Sequence, residues 1–142
     1  MKNKKINLRY GENPNQDAYL ISNTKKTIFD FQISGKKISY NNIIDLDSGL
    51  RCLSEFSEPT SIIVKHTNPC GVASAKKISN AFHKSYKSDP MSAFGGIIFL
   101  NRKVNSQLAK KIFQNFFEMV VATNFDKGAI EILQKKKNLI LI

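Results

Sequence analysis

The period of apolar and polar positions changes several times along the chain, and each change marks an element. After a turn-rich opening, residues 18–21 and 27–33 alternate as strands do, bounded by the polar stretch 22–26 and by Gly35. Ile43, Leu46, Leu50, Leu53 and Phe56 then recur at steps of three and four, which predicts a helix over 43–56 closed off by Pro59. Residues 61–65 (SIIVK) form a short apolar run suited to a strand buried on both faces. A second helix is expected over 75–86, with Ile78, Ala81, Phe82 and Ser85 on one side, followed by a buried strand at 96–100 (GIIFL). Leu108, Ile112, Phe113, Phe116 and Phe117 predict a helix over 106–118, and a short strand follows at 120–122. Asp126 caps a helix running to about 134, with Ile130 and Leu133 inward, and 139–142 is a last apolar strand.

Strands and helices in alternation, with apolar strands, imply a layered α/β domain whose sheet is parallel or mixed. The 142 residues are one domain's worth of chain, and 42% hydrophobic content is enough for a core and excludes disorder. The chain stops within LILI without turn, cap or polar tail, so a truncation point is expected there.

Charge adds less than its size suggests. The formal net charge is +11, but nearly all of it is lysine, with arginine only at Arg9, Arg51 and Arg102. The lysines are scattered as pairs and one triplet, Lys135, Lys136 and Lys137, rather than gathered on one helical face. A solvated surface with no specific nucleic-acid site is the expectation, and an anionic small molecule would still benefit from the field. A non-catalytic module holding nucleotides or nucleic acid on that basic surface is the alternative class. No apolar run approaches the roughly 20 residues that span a bilayer, so no membrane partner is expected. The basic opening MKNKKINLRY lacks an apolar continuation and is no secretory signal, so the expected location is cytoplasmic. Cys52 and Cys70 are too few and too isolated for a disulfide framework or a zinc cage.

Three segments carry unusual chemistry. Lys65-His66-Thr67-Asn68-Pro69-Cys70-Gly71 follows a buried strand, where a lysine and a histidine are costly without a task or partners. Neighbouring strand residues point to opposite faces, so Lys65 and His66 share a site only if the chain bends there. Asn68-Pro69 and Gly71 offer turn chemistry for that bend, and the plainer possibility is that His66 caps a turn while Lys65 reaches water. The second segment, residues 89–96 (DPMSAFGG), is read as a loop whose glycines let the backbone approach a ligand or simply bend. Both loops are placed beyond the carboxyl ends of strands, where α/β sheets gather ligands. The third segment, residues 9–16 (RYGENPNQ), is a dense polar turn in which Arg9 could fork a phosphate.

Together, LRYGENPNQ at 8–16, ISYNNIIDLDSGLR at 38–51, IVKHTNPCGVA at 63–73 and DPMSAFGGIIFLNRKV at 89–104 resemble the transformylase domain of the bifunctional AICAR transformylase/IMP cyclohydrolase family. The trailing FEMVVATNFDKGAIEILQKKKNLILI looks like the same family's continuation, so the resemblance runs in order across the chain. It implies formyl transfer from 10-formyltetrahydrofolate, as co-substrate, to the amino group of AICAR. It also implies a layered α/β/α, cytidine deaminase-like fold used twice in tandem, of which residues 1–142 would be the first half. The cyclohydrolase domain and the second half would lie outside this chain, which alone would be inactive. The family's site forms at a homodimer interface.

By the same resemblance, His66 matches the catalytic histidine and would act as the base. Lys65 matches the catalytic lysine, stabilising the developing oxyanion or helping to deliver a proton. Arg9 and Tyr10 match positions that hold the phosphate and ring region of AICAR. Asn42 and Glu118 align with AICAR-contacting positions, Phe94 and Gly95 with a loop lining the site, and Asn68 completes the KHTNPCG turn. Two departures stand out: Asn15 replaces the family's usual His, and Ala122-Thr123 replaces the usual Ala-Pro. The zinc signature of true deaminases is lacking, since Ala73 stands three after Cys70, and no zinc is expected.

Overall fold

A computed structural model describes residues 4–142. At its centre is a five-stranded mixed sheet in the order β4-β3-β5-β6-β7, made of β3 (Thr60–Lys65), β4 (Asn68–Ser74), β5 (Ile97–Leu100), β6 (Met119–Ala122) and β7 (Ile140–Leu141). β3 runs antiparallel to both neighbours, whereas β5, β6 and β7 are parallel to one another. A separate antiparallel ribbon pairs β1 (Lys4–Asn7) with β2 (Tyr19–Ser22).

The central strands are buried on both faces because helices cover both. Their side chains divide with period two. Ile63, Ile98, Leu100, Val120 and Leu141 share a core with Phe82 of α2 (Ile78–Ser88), Leu108 and Ile112 of α4 (Ser106–Phe113), and Leu133 of α5 (Lys127–Leu133). Ile62, Val64, Ile97, Phe99, Met119, Val121 and Ile140 face the other way, against Leu46 of α1 (Tyr40–Ser54) and Ile38. The expected layered α/β/α arrangement with a mixed sheet is therefore what forms.

Local chemistry sets the helix starts. Ser39 caps α1, accepting a hydrogen bond from Asn42 N–H, while its own N–H and hydroxyl donate to Asn42 Oδ1 at 3.1 and 3.0 Å. Asn105 and Asp126 cap α4 and α5, the latter as expected. Asp89 caps the short α3 (Pro90–Ala93), with Pro90 opening it.

Four expectations are corrected. Residues 28–31 form a 3-10 turn rather than a strand, because Asp30 Oδ2 accepts from Thr27 N–H at 2.7 Å and folds the chain back locally. The helix expected over 106–118 ends at Phe113: Phe117 leaves the helical path to pack its ring against Phe82 and Tyr86, and Phe116 pairs instead with Phe94. Residues 89–96 contain the helical turn α3 and do not follow a strand. The largest change is at 65–71, where only His66 and Thr67 form the turn and Asn68 begins strand β4.

β4 was hidden because its residues look like turn formers. Pro69 is tolerated since β4 is an edge strand and a register shift falls between Ile63 and Val64, opposite it. Gly71 is no turn residue: it is buried, and its lack of a side chain lets the Ser85 carbonyl of α2 press against β4.

Candidate active site

The antiparallel setting of β3 decides where the candidate residues meet. The carboxyl end of β3 lies at the same end of the sheet as the amino ends of β5 and β6, with Val64 opposite Ile97 and Ile97 opposite Met119. The Lys65–His66 turn, the Phe94-Gly95-Gly96 approach to β5 and Glu118 just before β6 consequently share one end of the sheet. Of the two segments expected beyond carboxyl ends of strands, only the turn after β3 lies at one; the glycine segment enters its strand at the amino end.

Lys65 pairs across the hairpin with Asn68, leaving a two-residue turn. Both turn residues have positive φ, 51° for His66 and 64° for Thr67. That handedness matches the twist of the flanking strands and normally selects Asn-Gly. It lifts His66 out of strand alternation, which is the bend that a shared Lys65–His66 site needs. Lys65, His66, Asn68, Cys70, Met91 and Ser92 line an open pocket of about 590 Å³. Lys65 Nζ donates to the Phe94 carbonyl at 2.6 Å, joining the hairpin to the end of α3. Asn68 Nδ2 donates to the His66 carbonyl at 2.9 Å.

Around that pocket the ionisable groups are set by their surroundings. Partial burial pushes the Asp45 carboxyl above the usual range, opposed by the Thr67 N–H and by the charge of His66. Burial also pushes the Cys70 thiol above its usual value. Asp89 is lowered by the hydroxyl and N–H of Ser92 and is committed to capping α3.

Glu118 and Gly95 are tied into the same end of the sheet. Gly95 N–H donates to the Phe116 carbonyl at 2.9 Å, Glu118 N–H donates to the Gly96 carbonyl at 3.0 Å, and the Phe94 and Phe116 rings lie 5.0 Å apart. The Glu118 carboxylate is held by Lys36, whose Nζ sits 2.9 and 2.7 Å from its two oxygens. Phe94 stays exposed.

Arg9, Tyr10 and Asn42 form another cluster. Arg9 Nη2 donates to the Tyr10 hydroxyl at 3.0 Å, and the guanidinium lies 4.6 Å from the Tyr10 ring centre. Arg9 Nε is buried without a partner among the described residues. Arg9 N–H bonds the Ile38 carbonyl, and Tyr40 N–H bonds the Tyr10 carbonyl, which anchors this loop beside the start of α1. Asn42 is buried there, its Oδ1 occupied by the cap of α1. Among the described residues no hydrogen bond or ion pair links this cluster to Lys65 or His66.

Sequence reasoning missed Asp45, Ser48 and Lys36, and it placed Met91 and Ser92 in a loop where they belong to α3. The spacing of Asp45 and Ser48 on the predicted helix was the available signal, since residues three apart share a helix face. Among the described residues there is no group of His, Cys, Asp and Glu able to hold a metal ion, and no helix is long and apolar enough to cross a membrane.

Residues 1–142 match, from end to end, the family described as AICARFT/IMPCHase bienzyme. The chain belongs to that family. Among relatives of the AICARFT/IMPCHase family, the bifunctional purine biosynthesis protein PurH of Caldicellulosiruptor bescii is 49% identical over 138 residues, covering 93% of this chain and 27% of its own length. The protein of the same name from Anoxybacillus flavithermus is 46% identical over 143 residues, covering 98% of this chain and 28% of its own. The chain thus spans little more than a quarter of the length of these relatives. A solved structure, of a putative formate dehydrogenase accessory protein from Desulfotalea psychrophila, superposes with a TM-score of 0.56 at 9% identity, covering 69% of this chain and 49% of that one. At that identity the likeness is one of fold alone.

Proposed function

We propose that this chain supplies the Lys65–His66 part of a site that transfers a formyl group from 10-formyltetrahydrofolate to the amino group of AICAR, in purine biosynthesis. The observation that carries it is the hairpin turn: its two left-handed residues lift His66 out of strand alternation beside Lys65, at the mouth of an open pocket. The AICAR amine is a weak nucleophile because its lone pair is delocalised toward the neighbouring carboxamide. His66 takes the amine proton as nitrogen attacks the formyl carbon. Lys65 faces the oxyanion of the tetrahedral intermediate, or passes a proton toward the folate nitrogen. When the bond from carbon to that nitrogen breaks, the nitrogen leaves with a proton and the formamide remains on the nucleotide. Arg9, whose Nε has no partner among the described residues, and Tyr10 would hold the nucleotide's phosphate and ring region; Asn42, Asn68, Phe94, Gly95 and Glu118 would line its path.

In this proposal residues 1–142 are the first of two tandem cytidine deaminase-like halves, and the complete site forms in a homodimer. The test is a chimera in which this chain replaces the matched segment of the C. bescii relative, assayed for AICAR formylation. Active chimera and a fall of about 100- to 10,000-fold on His66→Ala are expected. Turnover unchanged by His66→Ala would sink the assignment.

A further inference from the structure

Thr67 is an unexpected residue for its place. A β-branched side chain at φ 64° is strained, whereas the same turn built from Asn-Gly would not be. The compensating contacts come from α1. Thr67 N–H donates to Asp45 Oδ1 at 2.6 Å, and the Thr67 carbonyl accepts from Ser48 Oγ at 2.6 Å. Both backbone polar groups of one strained residue are therefore held by side chains one helical turn apart. On the other side, the His66 carbonyl accepts from Thr67 Oγ1 at 2.6 Å and from Asn68 Nδ2 at 2.9 Å. Neighbouring Asp47, by contrast, is exposed and pairs with Arg51 on the same helix.

We propose that Asp45 and Ser48 are positioning residues for His66: by clamping Thr67 in its left-handed conformation they fix the direction in which the imidazole leaves the hairpin. The proposal rests on the assignment of His66 to the reacting pair. Asp45 keeps this contact although partial burial disfavours its charge, so the position is occupied at a cost that a solvent-facing residue would not carry. Asn in its place keeps an acceptor oxygen without the charge, and Ala removes both.

The first experiment uses this chain itself. Hydrogen exchange of the Thr67 amide and the His66 ring resonances are followed by NMR in the wild type and in Asp45→Ala, Asp45→Asn, Ser48→Ala and Asp47→Ala. Asp45→Ala is expected to speed Thr67 exchange roughly 10- to 100-fold and to move the His66 ring signals. Asp45→Asn should recover most of both, Ser48→Ala should move the ring signals less, and Asp47→Ala should change neither. A lowered melting temperature with His66 signals unmoved would show a merely structural contact and overturn the proposal. In the chimera, Asp45→Ala should lower kcat roughly 10- to 100-fold with KM for AICAR nearly constant, and Asp45→Asn should restore it. Wild-type turnover in Asp45→Ala, where His66→Ala is inactive, would overturn positioning while leaving formyl transfer standing. A fully active His66→Ala would instead remove the reading of His66, with the NMR result still judging the clamp.

Discussion

Replacing Gly71 by Ala puts a methyl group where β4 meets α2, and the obstacle is backbone. The new carbon would run into the Ser85 carbonyl, with the Ser85 Cα behind it. A flexible side chain would swing aside, but Ser85 is fixed on several sides. Its hydroxyl lies within hydrogen-bond distance of both Ser61 Oγ, at 2.8 Å, and the Phe82 carbonyl, at 3.0 Å. Phe82 is itself 3% exposed and packed against Tyr86 and Phe117. Relief requires α2 to withdraw as a unit. Overpacking of this kind costs about 1–3 kcal/mol, and the lower chain entropy of Ala returns about 0.5–1 kcal/mol. Because the obstacle is backbone, the upper part of the overpacking range applies, about 2–3 kcal/mol. The net loss is therefore about 1–2.5 kcal/mol, or roughly 3–9 °C in melting temperature for a domain of this size. Gly128→Ala is the control, because there the obstacle is the Ser106 hydroxyl, which can rotate at the expense of one 3.2 Å bond to Asp126. A helix gains about 0.8–1 kcal/mol from that change, so stability should hold or rise slightly. Both variants are compared with wild type by thermal and urea unfolding. Gly71→Ala as stable as wild type, or Gly128→Ala equally damaged, would refute the distinction between a rigid and a movable obstacle.

Other outcomes follow from single contacts. Ser39→Ala removes the cap of α1 and should cost about 1 kcal/mol in urea unfolding; an unchanged midpoint would mean that Asn42 holds the helix start by itself. Asp30 is lowered from 3.8 to about 2, first by the Lys4 ammonium and then by the N–H and hydroxyl of Thr27. A lowered carboxylate stabilises the fold above its unfolded pKa and loses that contribution as pH falls toward the folded one. Acid titration should accordingly show Asp30→Asn with a shallower loss of stability between about pH 4 and pH 2 than wild type, and a carboxyl NMR midpoint near 4 for Asp30 would contradict it.

How much could be read beforehand depended on whether a segment's signal was its own. The apolar runs of β3, β5 and β6 needed no context, since a strand covered on both faces has to be apolar throughout. The caps at Asp126 and the repeat of Ile43, Leu46, Leu50 and Leu53 were equally local. β4 was illegible because an edge strand at a bulge can carry Asn68, Pro69 and Gly71, the residues that also make turns. The stretch at 28–31 misled in the opposite sense: its alternation suited a strand, and a side-chain bond from Asp30 overrode it. Phe116 and Phe117 looked like a helix face, but each ring had a partner distant in sequence, Phe94 for one and Phe82 with Tyr86 for the other.

For the candidate site, the residue types at Lys65 and His66 and the motifs around them were enough to single out that pair as candidates and to name the family. The side-chain order along the chain could not say how two neighbours on a strand come to share a pocket. That was decided by a two-residue left-handed turn, by β3 running against β5, and by two side chains of α1 that hold Thr67. Composition and periodicity depend on neighbours in sequence and were legible from the chain alone. Strand direction, backbone handedness and the hold of α1 on the turn come from contacts between segments far apart in sequence, and only the packed fold brings those together.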